Sequence, residues 1–470
     1  MFQTTTAEEA ARASWDVVIA GSSFSAMFFL RGLPAGTRAL IVEKGAIIPH
    51  EAQVAALDRP REEYPMDNRS EMPKDWIAHR MFGGNSNCWW GQVPRFHPND
   101  FRMAELYGQG ASWPIDYDDL EVFYGEVEDV MEVAGGGVDH ILPRSRPFPY
   151  PPHALSRSDR ACIDAMPDIW VPVACARANG GGRAQCCANG VCHLCPVDSK
   201  FSVLNGIDSF LRDGVHLLTG AEAVSVVINA GRAGGLVIRD GAGEYTISGG
   251  IVALGTNAIS NAAILKRSGL TAPALGRYLH EQHSIELVID VAAPGYFGGT
   301  SITGHCYGFY DGPHRAEAAA VLVENYNAPN DLRLTPGRWT DRMMLKLIAE
   351  DLPKAENRVE LDENGAPRII WTGHSAYAHA GLERAMAGIA TILPFELEAI
   401  VSQRSAATEA HIQGTHRMGL DAASSVVNGH CETHEVSGLF ALGSGVFPTS
   451  SAANPTLTLS AIALRAGRSV

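Results

Sequence analysis

The chain has 470 residues, 46% apolar and 19% charged, with 37 Lys and Arg against 52 Asp and Glu, a formal charge of −15. An acidic surface with no basic run or stripe argues against nucleic acid as a partner and against adsorption to anionic lipid. The length allows two or three structural units of roughly 100–200 residues each, and 48 glycines suit an α/β enzyme rich in tight turns better than a helical scaffold.

In chain order, the opening MFQTTTAEEAARAS has neither a basic n-region nor an apolar h-region. A cytoplasmic location is therefore expected, with export open only in complex with a partner subunit. Trp15 to Gly21, WDVVIAG, reads as a buried parallel strand, Ser25 to Leu33 as a helix, and Arg38 to Gly45 as a second strand. The apolar stretch here is broken by Gly21, Ser22, Ser23 and Ser25, so no membrane span is expected and the chain reads as soluble. Residues 46–110 look irregular. A helix is predicted from a cap at Ser112 or Asp116 through Leu120, Phe123, Tyr124, Val127 and Val130. Pro143 to Pro152 reads as a linker. AVSVVIN, GGLVIRD and YTIS read as a β-meander, and 249–269 as strand, glycine turn and helix. From 276 to 410 strands and aromatics alternate without a nucleotide motif. The last sixty residues return to strand, glycine and helix.

Three groups of residues carry chemistry. Gly21, Ser23, Phe24 and Ser25 follow the first strand, where small residues let backbone approach a pyrophosphate at a helix N-terminus. Glu43, 22 residues after Gly21, ends the second strand, where a carboxylate can accept both ribose hydroxyls. The bland alternative is a buried strand and a capped helix. Near the C-terminus, Asn454 is a good N-cap and Pro455 suits a first helical turn, so a helix there would aim its positive end at whatever faces it. Four cysteines crowd into Cys186, Cys187, Cys192 and Cys195. Nine cysteines in a chain this long make no dense disulfide framework, and reduced thiols or a disulfide are the plain alternatives for the cluster. Zinc fits less well, since adjacent cysteines strain a tetrahedral site.

Taken together, WDVVIAGSSFS, LIVEKG, MFGGNSNCWWG, WPIDYDDLEVFY, ALGTNAISNAAILKRSG, HIQGTHRMG and LFALGSGVFPTSSAANPTLTLSAIALR resemble the glucose–methanol–choline (GMC) oxidoreductases, over nearly the whole chain. The resemblance is nearest in pattern to bacterial FAD-dependent sugar and alcohol dehydrogenase catalytic subunits and to pyranose-oxidase-like enzymes. It implies an α/β fold with a Rossmann-type FAD-binding domain and a substrate-binding domain of mixed β-sheet plus helices. The expected division is 12–100, 180–275 and 410–470 for FAD, with 101–179 and 276–409 for substrate and linkers.

In that family two residues face the flavin, and the matching positions are His411 and Asn454. Imidazole can accept the hydroxyl proton as hydride leaves the carbinol carbon, and an amide can hold the substrate oxygen. His416 is the rival, its plain role a structural hydrogen bond. Gly83, Gly84, Ser86 and Asn87 resemble the segment along the flavin, and Gly443, Ser444, Pro455 and Thr456 complete the cofactor set. Cys88 stands where some relatives carry a histidine covalently joined to FAD, so a non-covalent cofactor is expected. Resemblance to membrane-linked sugar dehydrogenases implies an iron–sulfur cluster on Cys186, Cys187 and Cys192, and with it an electron-acceptor subunit or protein. Trp89, Trp90, Tyr307, Tyr310 and Trp371 read as core rather than as sugar-stacking rings. The implied reaction is oxidation of a CH-OH group of a sugar, glycoside or polyol. An oxygen-using oxidase and a non-redox, FAD-containing lyase are the alternatives.

Overall fold

Two sheets organise the chain in the computed structural model, which describes residues 2–56, 60–69, 74–190, 192–292, 300–327 and 341–470. The first sheet has eight strands and is built on the apolar runs. Ser14–Ala20 lies at its centre, parallel to Ala39–Glu43 on one side and to the end of Glu244–Leu254 on the other. Val215–Thr219 and Gln3–Thr4 extend it beyond Ala39–Glu43, and Leu439–Ala441 pairs in parallel with Glu244–Leu254. Val17–Ala20 and Ala39–Val42 are buried throughout, as strands covered on both faces must be. The helices Phe24–Gly32 and Thr456–Arg468 pack so closely that a Cβ at Gly467 would strike the Phe29 carbonyl.

The structure joins two runs that the sequence pattern separates. YTIS and GGIVAL form one strand of 11 residues, Glu244–Leu254. Its first half pairs antiparallel with Arg232–Arg239, and its second half pairs parallel with Ser14–Ala20. Gly249 and Gly250 mark the change of partner, which is why local pattern suggests a break there. Of the two proposed caps for the helix Tyr117–Val130, Asp116 is used: its carboxylate accepts the Asp119 N–H.

The second sheet has six strands, in the order Leu397–Ser405, His283–Val291, Arg342–Ala349, Val321–Tyr326, Ile302–Phe309 and Trp170–Pro172. Every pairing in it is antiparallel. Alternation along the strands divides its side chains. Leu287, Val321, Val323, Leu345 and Leu347 share a core with Leu382 and Ala385 of the helix Ala376–Ala387. Glu286, Glu324 and Lys346 belong to the opposite face. Among the described residues no helix is long and apolar enough to cross a membrane.

Candidate active site

The first strand ends at Gly21, whose φ of +90° admits no ordinary side chain; a Cβ there would lie 2.7 Å from the Gly255 carbonyl oxygen. Beyond it the helix Phe24–Gly32 begins with no side-chain cap and no acidic residue in its first turn. Its free N–H groups form an anion-receptive end. Ser22 connects three parts of the loop system: its hydroxyl donates to Glu43 Oε2 at 2.5 Å and accepts from Gly83 N at 2.9 Å. Glu43 also accepts from Gly45 N. Burial raises its pKa above the usual carboxylate range.

Two adjoining cavities follow. One, of about 180 Å³, is lined by Gly21, Ser22, Ser23, Glu43 and Gly84; the other, of about 360 Å³, by Ser23, Phe24, Ser25, Trp89, Trp90, His411, Gly443, Ser444, Asn454, Pro455 and Thr456. They share Ser23, Asn85, Thr256 and Asn257 along their common edge. A long trough therefore runs from a carboxylate at a strand end, past one helix N-terminus, to a second at Thr456–Arg468. A dinucleotide cofactor suits that shape and those donors.

Not every expected cofactor residue faces the trough. Ser86 accepts from Val203 N, and the Asn87 amide donates to the Phe82 and Gly84 carbonyls, so both brace the loop from behind. Gly83, with φ +83°, turns the chain without lining either cavity. Asn85, Thr256 and Asn257 lie on both. Thr256 and Asn257 follow the second strand–glycine–helix unit, a signal that could have found them. Cys88, half-buried on the larger cavity, donates toward the Asn85 carbonyl and lies 3.2 Å from His79 Nδ1.

At the far end His411 has both its backbone and its ring restrained. Its N–H donates to Glu281 Oε1 at 2.9 Å, and Glu281 is ion-paired with buried Lys74. Its Nδ1 lies 2.5 Å from Gln282 Oε1. Gln282 Nε2 donates to the Ser451 and Ala453 carbonyls at 2.7 and 2.8 Å, which fixes the amide so that its oxygen faces the imidazole. An oxygen can only accept, so Nδ1 carries the proton and Nε2 the lone pair. Burial lowers the His411 pKa to about 4, against the attraction of Glu409, and the ring is neutral at pH 7.

Asn454 does not cap the helix as its residue type suggests. Pro455 takes the cap position without a side-chain bond, and Asn454 Oδ1 is buried with no hydrogen-bond partner. The preceding loop is pinned on three sides. Trp113 donates to Thr449 Oγ1, Ser451 donates to Asp100 Oδ2, and Gln282 holds the two carbonyls. His416, by contrast, is fully enclosed, its nitrogens against Thr415 Oγ1 and the Leu442 carbonyl. Of the five aromatics, Tyr307, Tyr310 and Trp371 are core, while Trp89 and Trp90 line the larger cavity.

The expected cluster ligands are not assembled. Among the described residues no three His, Cys, Asp or Glu side chains converge on a metal position. Cys187 is exposed, whereas Cys192 is buried, 2.9 Å from Ser301 Oγ and 3.5 Å from the Arg177 guanidinium. Cys186 is half-buried and lies near enough to Cys192 and Cys175 to feel their charge, so the exposed Cys187 is the one that stands apart. As placed, with Cys187 exposed, these three residues form no three-thiolate site.

Comparison with known proteins agrees with this architecture. Residues 353–463 match the GMC oxidoreductase family model. The chain is 27% identical to 6'''-hydroxyparomomycin C oxidase of Streptomyces lividus, over 97% of this chain and 91% of that protein. It is 25% identical to the fructose dehydrogenase large subunit of Gluconobacter japonicus, over 83% and 80%. Pyridoxine 4-oxidase from Mesorbium loti superposes with a TM-score of 0.68 at 18% identity, over 97% and 99% of the two chains. Residues 353–463 carry a GMC oxidoreductase C-terminal domain, the chain as a whole is similar to sugar and alcohol oxidases and dehydrogenases, and it is an FAD-dependent enzyme acting on CH-OH groups.

Proposed function

We propose that the protein oxidises a CH-OH group of a sugar, glycoside or polyol, with His411 as base and Asn454 as the partner of the substrate oxygen. The observation that carries this reading is the tautomer of His411. Gln282 holds the proton on Nδ1, which leaves Nε2 as acceptor on a cavity that Asn454 also lines. FAD bound in the trough would supply the hydride acceptor. Gly21 and the start of the helix Phe24–Gly32 would hold its pyrophosphate, Glu43 its ribose, and the start of the helix Thr456–Arg468 its ring.

The residues of the chain then divide the work. Nε2 of His411 takes the hydroxyl proton. The Asn454 amide orients the oxygen and stabilises its developing negative charge. The neutral imidazole is ready for this role because burial disfavours its charged form. We read the cofactor as non-covalently held, so acid precipitation should release it into the supernatant.

The test is anaerobic addition of sugars and alcohols to the purified yellow protein. Bleaching of the flavin absorbance by one of them supports the reading. Turnover without bleaching would replace it with the lyase. For the electrons, an acceptor other than oxygen is proposed, by analogy with the relative named as a dehydrogenase large subunit, and that name also supports an acceptor subunit. Oxygen consumption matching substrate oxidation would assign an oxidase instead, as in the relative named an oxidase.

A further inference from the structure

A row of charged side chains crosses the second sheet on the face opposite its apolar core. His305 pairs in register with Glu324, Glu324 with Lys346, Lys346 with Glu286, and Glu286 with Arg404. Directly opposed residues share a face, so alternating signs would neutralise one another along the row. The ion pairs follow this register except at Lys346. Arg404 pairs with Glu286, but Lys346 gives its ammonium to Glu409, at 2.7 Å. Glu409 also accepts from Ser284 Oγ.

Glu324 is therefore left without the lysine opposite it, and its one ion-pair contact among the described residues is with His305. Its side chain is 4% exposed, and Oε1 makes no hydrogen bond; its neighbour there is His305 Nε2, 3.5 Å away and likewise without a hydrogen bond. A buried carboxylate in that condition is costly unless something completes it. Glu324 also lines the cavity that holds His411 and Asn454. Among the described residues that cavity is lined by two carboxylates, Glu324 and Glu409, and by no lysine or arginine. Two positions along the same strand and on the same side, Tyr326 packs against Trp90 at 5.3 Å between ring centroids, and both rings line the cavity beside the carboxylate. Aromatic faces next to a carboxylate suit an ammonium group and the C–H face of a ring.

We propose that the substrate carries an ammonium group, as an amino sugar or amino alcohol does, and that Glu324 binds it while His411 faces the carbinol to be oxidised. The proposal rests on the CH-OH oxidoreductase reading above and adds the charge of the substrate. A neutral polyol would leave Glu324 uncompensated, and an anionic one would meet two carboxylates.

The experiment uses the FAD-loaded enzyme under anaerobic conditions and follows flavin bleaching by stopped flow. The probes are D-glucosamine, paromamine and 3-amino-1,2-propanediol, each beside its N-acetylated form, with D-glucose, D-fructose and benzyl alcohol as neutral members. A free amine should bleach the flavin at least 10-fold more efficiently than its N-acetylated partner, the range of a buried charge-assisted hydrogen bond. In Glu324→Gln, which keeps size and shape, the half-saturating concentration of that amine should rise about 10–100-fold, with little change in the limiting rate. The N-acetylated form should lose nothing. Equal rates for amine and N-acetyl forms in the wild type, or bleaching by the neutral members alone, overturn the inference while the oxidoreductase reading stands. Bleaching by no probe overturns both. The wild-type pairs decide the matter even if the variant does not fold.

Discussion

Gln282 should control how His411 works, although it lines neither cavity. Gln282→Met keeps the length of the side chain and removes three hydrogen bonds, of 2.5, 2.7 and 2.8 Å. At about 1 kcal/mol net for each neutral bond, local stability should fall by roughly 3 kcal/mol. Losing the acceptor for Nδ1–H removes about 1–1.5 kcal/mol of preference for the working tautomer, close to a tenfold effect on rate. The Ser451 and Ala453 carbonyls lose their donor as well, so the loop that carries Asn454 loosens and a similar factor follows. The expected fall in kcat is on the order of 100-fold, with retained yellow colour and a modest change in KM. Gln282→Glu separates positioning from packing. Its carboxylate still accepts from Nδ1, but its charge favours the imidazolium, so the acid limb of kcat/KM should move up from about 4. Gln282→Met activity within threefold of wild type, or an unmoved acid limb in Gln282→Glu, would refute the argument.

Other expectations follow from the same geometry. His411→Ala should bind FAD yet lose turnover by orders of magnitude, and steady-state rates near wild type would remove His411 from the mechanism. Because burial depresses the His411 pKa, the base form persists as pH falls, and kcat/KM should stay level from pH 8 to about 5 and drop only near 4. An acid limb near the ordinary imidazole value would refute that. With Cys187 exposed and no three-thiolate site among the described residues, iron analysis of anaerobically purified protein should find no stoichiometric metal and Cys187→Ser should leave the visible spectrum unchanged. Two or more irons per chain that are lost in Cys187→Ser would overturn the thiol geometry described above.

Local pattern was enough for the elements that hold the trough. Buried strands such as Trp15–Gly21 and Arg38–Gly45 announce themselves as short apolar runs between turns, and the capped helix at Asp116 shows its spacing in the sequence. Glu43 could be read from its offset to the first glycine turn, and His411 and Asn454 from the resemblance to the family; all three line the two cavities. What lies behind them was not. Gln282 is 129 residues from His411, and nothing in its neighbours marks it as the acceptor for an imidazole. Glu324 reads as one polar residue in a strand; that it lacks its lysine appears only once Lys346 is seen to choose Glu409 over its partner in register. The cysteines are a different case: closeness along the chain suggests ligands, but among the described residues no three such side chains come together as a metal site. Sequence by itself determined the periodicities and the turn chemistry, which act over a few residues. Only the tertiary structure decided which buried polar groups are satisfied and which are left open, because hydrogen bonds and ion pairs are made across strands and loops far apart in the chain.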